Sequence, residues 1–233
     1  MKFATSLLFL SSFAGIASAA TIVQTGSYSF VPDGSQSLTF NKFNTALGTL
    51  NSVTVTVVLN KTGGSYAVDN DSATAGTITL NHNVVGSLSV ISGGVGLIRN
   101  DFSSIGASGT LTAASSLSDQ AVAATTGDSA STFNATGLGD YVIFNPADTS
   151  TSNSGTVASF AQSSYEGTGS FVLGLGATQS ISASGLGGLQ QAFTVSSVSG
   201  DVTVTYNYTA AVPEPASALL GGLGLLALLR RRR

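Results

Sequence analysis

The chain has 233 residues, no cysteine and few charges, so disulfides, thiolate metal sites and cysteine nucleophiles are excluded. Between residues 21 and 211, three basic residues (Lys42, Lys61, Arg99) stand against ten acidic ones, a formal charge of −7. That balance excludes a nucleic-acid partner, whose phosphates need basic contacts. Glycine, serine, threonine and asparagine must supply the polar surface instead, a composition that suits an extracellular β-protein.

The first nineteen residues read as a secretory signal peptide. Lys2 gives a positive start, and residues 3–16 are largely apolar. Ala17-Ser18-Ala19 then forms an A-x-A cleavage site for signal peptidase, with Ala20 as an alternative. A signal helix is expected there and an exported domain after it.

Residues 20–210 are long enough for one domain with a real core. Alternation of period two recurs along them. Residues 21–30 form a first strand, 31–34 a Pro-Gly turn, and 35–40 a second strand. Residues 40–50 hold a helical turn. Residues 51–60 are the clearest strand, with Val53, Val55, Val57 and Leu59 on one face and Thr54 and Thr56 on the other. Residues 61–64 (Lys-Thr-Gly-Gly) are expected to turn the chain so that 65–68 pair back. Residues 77–90 show two apolar stretches, with Asn81-His82-Asn83 as a hairpin connection. A short helix is expected over 116–124, and further strands over 140–144, 169–175 and 190–197. Residues 103–133 and 148–164 read as long loops or irregular edge strands. Residues 201–209 close the domain with Val202, Val204, Tyr206 and Tyr208 on one face. Many short strands with Gly/Asn/Asp turns predict an all-β, antiparallel β-sandwich, jelly-roll or Ig-like.

Chemistry-bearing patterns are sparse. His82 is the single histidine, so a multi-histidine metal site or a triad cannot be assembled around it. It reads as a solvated loop residue. Asp69-Asn70-Asp71-Ser72 alternates oxygen ligands, making Asp69 and Asp71 a weak calcium candidate. The glycine and distal glutamate of an EF-hand loop are absent, and a plain Asx turn is the expected reading. Asp101, Asp140 and Glu166 offer carboxylates for glycoside chemistry, but no local signal pairs them. Tyr206 and Tyr208 could face a sugar, although their strand position favours packing. No metal, cofactor or catalytic residue is expected, and the chain is read as non-enzymatic.

The last segment has three parts: Pro213, Glu214 and Pro215; an uncharged run over 216–229; and Arg230, Arg231, Arg232 and Arg233. Fourteen residues make about 21 Å of helix, short of the ~30 Å hydrocarbon core, and three glycines weaken it. It is therefore expected to be a marginal transmembrane helix with the arginines as a cytoplasmic stop. In order and position these parts resemble the PEP-CTERM sorting signal of Gram-negative bacteria. The resemblance implies processing near the Pro-Glu-Pro motif by a membrane-embedded exosortase, transient inner-membrane anchoring, and delivery to the cell surface or matrix, often alongside exopolysaccharide.

Phe43 and the Leu47-Gly48-Thr49-Leu50 stretch leading to Val53 also resemble an early segment of choice-of-anchor E domains. These are exported bacterial β-domains, and the resemblance implies architecture and location rather than chemistry. The expected function is a structural or adhesive surface protein. The alternative is a secreted carbohydrate-binding or carbohydrate-active β-sandwich.

Overall fold

The computed structural model describes residues 18–125, 133, 139–211, 221–224, 226–227 and 230. The expected signal helix and the Pro-Glu-Pro motif lie outside them. Among the described residues, no helix is long and apolar enough to cross a membrane.

The domain is all-β. Its strands in chain order are β1 (Ala19–Phe30), β2 (Gly34–Asn41), β3 (Gly48–Thr62), β4 (Ser65–Asn70), β5 (Gly76–Ser92) and β6 (Leu111–Val122). They are followed by β7 (Tyr141–Phe144), β8 (Thr149–Thr156), β9 (Ser170–Ser184), β10 (Leu189–Thr194) and β11 (Ser197–Ala210). One sheet has the order β1-β11-β3-β8 and a second the order β2-β9-β5-β6. With β4, β7 and β10 set aside, this is the double Greek-key order of a jelly roll. All ladders between named strands are antiparallel.

Period-two alternation drives the packing. Val53, Val55, Val57 and Leu59 of β3 are fully buried. Each such burial is worth about 1.5–3 kcal/mol relative to exposure. Val202, Val204 and Tyr206 of β11 meet them from the same sheet. Phe171, Leu173 and Leu175 of β9 face them from the other. The Tyr206 hydroxyl donates to the Asn41 carbonyl at 2.8 Å, which satisfies its polar end inside the core. Tyr206 is therefore a core residue, and Tyr208 packs half-buried against the same cluster, its ring centroid 5.1 Å from that of Phe43.

The third sheet, β10-β4-β7, repeats the order β11-β3-β8. Its strands join their counterparts through residues 195–196, 63–64 and 145–148. The first sheet is thus broken across its width, and its far half continues as the third. Gly63 and Gly64 both have positive φ (66° and 88°) at the break, a backbone state that favours glycine. The expected back-pairing after Lys61 is corrected: β4 runs onward to pair with β7 and β10. The far half covers its own apolar cluster of Tyr66, Val68, Ile78, Leu80, Val122 and Phe144.

Other expectations also change. Residues 116–124 are not helical, because β6 runs to Val122 and its edge pairs with β5. Pairing to a neighbour outweighs the weak local helix preference of a Ser/Ala-rich segment. The 148–164 stretch contains β8 and a 3₁₀ segment, Ser159–Tyr165. The helical turn before β3 is present as Thr45–Leu47, capped by the Asn44 side chain, which accepts from the Ala46 amide at 3.0 Å.

Candidate sorting site and a buried polar layer

The two chain ends leave the domain together. Ala19 pairs with Thr209 on neighbouring strands, and the Ala210 amide donates to the Ser18 carbonyl at 2.9 Å. The Ala211 amide donates to the Leu47 carbonyl at 2.8 Å. Ala19, expected from the sequence at the signal-cleavage site, is therefore placed beside the start of the sorting tail, while Ala17 lies outside the described residues. Only Ala211 and Val212 separate β11 from Pro213. Of the basic stop, Arg230 is described, as a helical and exposed residue; Arg231, Arg232 and Arg233 are not.

Ordinary strand pairing explains this geometry. The final strand inserts between β1 and β3, with twelve register pairs to β1 and fourteen to β3. Gly48 has φ 147°, and a Cβ there would collide with the Thr209 carbonyl oxygen. Glycine is required where β3 and β11 meet at the exit.

A second cluster lies at the break between the two halves. His82 is not in a hairpin loop. β5 runs unbroken through it, and His82 is buried. The lysine amine of Lys61, fully buried, lies 3.3 Å from His82 Nδ1 and donates to the Ser115 hydroxyl at 2.7 Å. The Ser196 hydroxyl donates to Gln179 Oε1 at 2.9 Å, and Gln179 also hydrogen-bonds His82. Burial lowers the Lys61 pKa, against the opposing pull of the Asp148 carboxylate. A lysine–serine contact is a known nucleophile-activating arrangement; here the lysine side chain is fully buried, and its partner Ser115 lines a small surface hollow. The cluster is a polar layer between two apolar cores, with its buried groups hydrogen-bonded to one another.

Sequence reasoning missed this layer, although its signal was present. Lys61 shares the parity of Val53 to Leu59, and His82 that of Ile78, Leu80 and Val84.

Of the remaining candidates, only those around Asn70 come together: the β4–β7 ladder sets Asp140 opposite Asn70, which lies between Asp69 and Asp71 along the chain. Asp69 is buried in β4, and the following turn is organised by Asn70, whose amide donates to the Thr74 carbonyl at 3.0 Å and the Ala123 carbonyl at 2.6 Å. Among the described residues, no three His, Asp or Glu side chains are grouped to hold a metal, so Asp69 and Asp71 gain no third acidic ligand. Asp140 immediately precedes β7, and the Asn70 backbone amide donates to its carbonyl. Glu166 sits at the opposite end, bridged to Phe43. Asp101 accepts from the Ser103 amide and hydroxyl, which hold its carboxyl below the usual range. Two surface hollows, one lined by Asp33, Val85 and Thr178 and the other by Asn81, Asn83 and Ser116, contain no acid pair.

These features define a class: an all-β jelly-roll domain with a sorting tail fixed directly to its last strand. Residues 211–233 match the PEP-CTERM protein-sorting motif, so the chain carries a sorting signal of that kind, which supports export and exosortase processing.

No curated protein matches the chain. Solved structures with some likeness include infectious bursal disease virus Gx strain, at 10% identity and TM-score 0.20. The match covers 84% of this chain and 38% of that one. Empty-head turnip yellow mosaic virus matches at 12% identity and TM-score 0.16, over 92% of this chain and 94% of that one. The chain thus spans well under half the length of the first, and at these TM-scores the likenesses carry no argument.

Proposed function

We propose that this protein is a non-enzymatic surface or matrix component, held at the inner membrane by its tail until exosortase processing delivers it outside the cell. Its role there is structural or adhesive, among exopolysaccharide. The observation that carries the reading is the sorting motif placed two residues beyond β11. The first strand starts on the same ladder, so both membrane-directed segments leave from one end. The domain then projects away by up to roughly 70 Å, taking ~3.3 Å per residue along β11 and β10. The acidic charge suits a soluble extracellular component. The resemblance to choice-of-anchor E domains, carried by the 3₁₀ turn and the start of β3, points to the same location.

Intact-mass analysis of the protein from its native host tests this. The expected product starts at Ala20 or Thr21 and lacks Arg230 to Arg233. A surface-located protein that keeps every C-terminal residue would overturn the processing step.

A further inference from the structure

Phe102 and Phe160 are among the most exposed apolar side chains of the domain, at 73% and 60%. Their rings stack on each other with centroids 5.8 Å apart. Phe102 has φ 64°, an uncommon state for a bulky residue and one that surrounding structure must enforce. Arg99 enforces it. Its guanidinium donates to the Ser103 hydroxyl, the Ser104 carbonyl, Asn153 Oδ1 and the Ser154 carbonyl at 2.8–3.1 Å. The Phe102 amide donates to the Arg99 carbonyl at 3.0 Å, closing the turn. A rigid turn thus holds an apolar ring out in water.

The placement says what covers it. Phe102 lies in the connection from β5 to β6, and Phe160 lies in the connection from β8 to β9. These connections share an end with the start of β1 and the exit of β11. That link is shown where the Phe43 amide donates to the Tyr165 carbonyl and the Tyr206 hydroxyl to the Asn41 carbonyl. Leu47, 44% exposed, accepts from Ala211 at the exit itself. The 22 residues after Ala211 leave from this end with no spacer. Phenylalanine has no polar tip for a directional bond to a sugar, and Asp101 beside it is occupied by Ser103. Exposed Phe and Leu suit the headgroup–acyl boundary of a bilayer.

We propose that Phe102 and Phe160, with Leu47, form a membrane-resting foot that seats the anchored domain on the lipid surface. The inference rests on the anchoring reading above. Because the domain is acidic, the contact is apolar and needs no anionic lipid.

The chain has no tryptophan, so single-tryptophan variants report cleanly. Full-length F102W, F160W and F193W proteins would be reconstituted into vesicles of phosphatidylethanolamine and brominated phosphatidylcholine. Phe193, 59% exposed on β10, marks the far end. The expected result is blue-shifted emission with loss of most of its intensity for F102W and F160W, and water-like, unquenched emission for F193W. Vesicle-bound protein in which F102W and F160W both stay unquenched overturns the foot and leaves the anchor standing. Equal quenching of F193W overturns it too, since the domain would then lie flat. Emission at 102 that responds to added oligosaccharide and not to lipid overturns it in favour of sugar. Protein that fails to float with vesicles removes the anchor and the foot together.

Discussion

The Lys61 amine lies 3.3 Å from Nδ1 of His82, at the level where one sheet of the sandwich breaks and its far half continues. Both residues occupy inward positions that apolar side chains fill elsewhere on the same strands. Two apolar clusters flank them. The stability of the whole domain therefore depends on how this polar layer titrates.

Burial first, and the nearby Lys61 charge second, lower the His82 pKa from its ordinary 6.5, against a hydrogen bond with the Gln179 side chain that raises it. Between the folded value and 6.5, the unfolded chain binds a proton that the fold refuses. Stability is then full above about 6.5 and falls as pH drops through that window, by at most ~1.4 kcal/mol per pH unit for one proton. Urea melts at several pH values should show a shallower acid loss for His82→Gln than for the parent. Parallel slopes between pH 7 and pH 5 would refute the assignment.

Lys61 separates charge from volume. Lys61→Met keeps the bulk and removes a desolvated cation, while His82 keeps Gln179 and Ser115 keeps its contact with the Ala147 carbonyl. The expected change is within ~1.5 kcal/mol of the parent. Lys61→Ala opens a cavity between the two cores and should cost about 2–5 kcal/mol. Chemical denaturation of both variants decides it, and equal losses would show that the charge, not the packing, matters.

Gly200 sits in β11 with φ 155°. An added Cβ would collide with the Val58 carbonyl oxygen and lie 2.7 Å from the Tyr28 hydroxyl. That hydroxyl donates to the same carbonyl. Gly200→Ala should destabilise by more than ~3 kcal/mol. Gly94→Ala, at φ 67° but with nothing within 4 Å of the added atom, should cost only the backbone strain, about 1 kcal/mol. Thermal melts that rank the two the other way would contradict the close approach of β11 to β3.

β11 completes the sheet from the middle. A chain stopped after Thr194 leaves β1 without its ladder partner and β3 without one of its two. It should lack a cooperative melt and be cleaved rapidly by protease. A chain stopped after Ala211 keeps every strand and should melt within a few degrees of the full protein. Cooperative folding of the shorter chain would show that the sandwich closes without its last strand.

Strand parity was legible wherever one face is buried. Val53 to Leu59 and Val202 to Tyr206 announce their inward faces because successive side chains alternate across a sheet. The same rule placed Lys61 and His82 inward, but their chemistry suggested a turn and a loop. A polar residue at a core position cannot be told from a break in the strand until its partners are known, and Ser115 and Gln179 lie 54 and 97 residues further along the chain from Lys61 and His82 respectively. The residues 116–124 misled in the opposite sense, since local preference pointed to a helix and pairing to β5 decided for a strand.

The sorting tail needed no tertiary structure, because motif, apolar run and arginines follow one another in the linear sequence. The β character and the sandwich class followed from alternation, which is a local property. Strand order, the break that makes a third sheet, the buried lysine–histidine layer and the exposed Phe102–Phe160 stack came only with the fold. Each joins residues far apart in sequence, and such contacts are set by which faces meet rather than by any one segment's own preference.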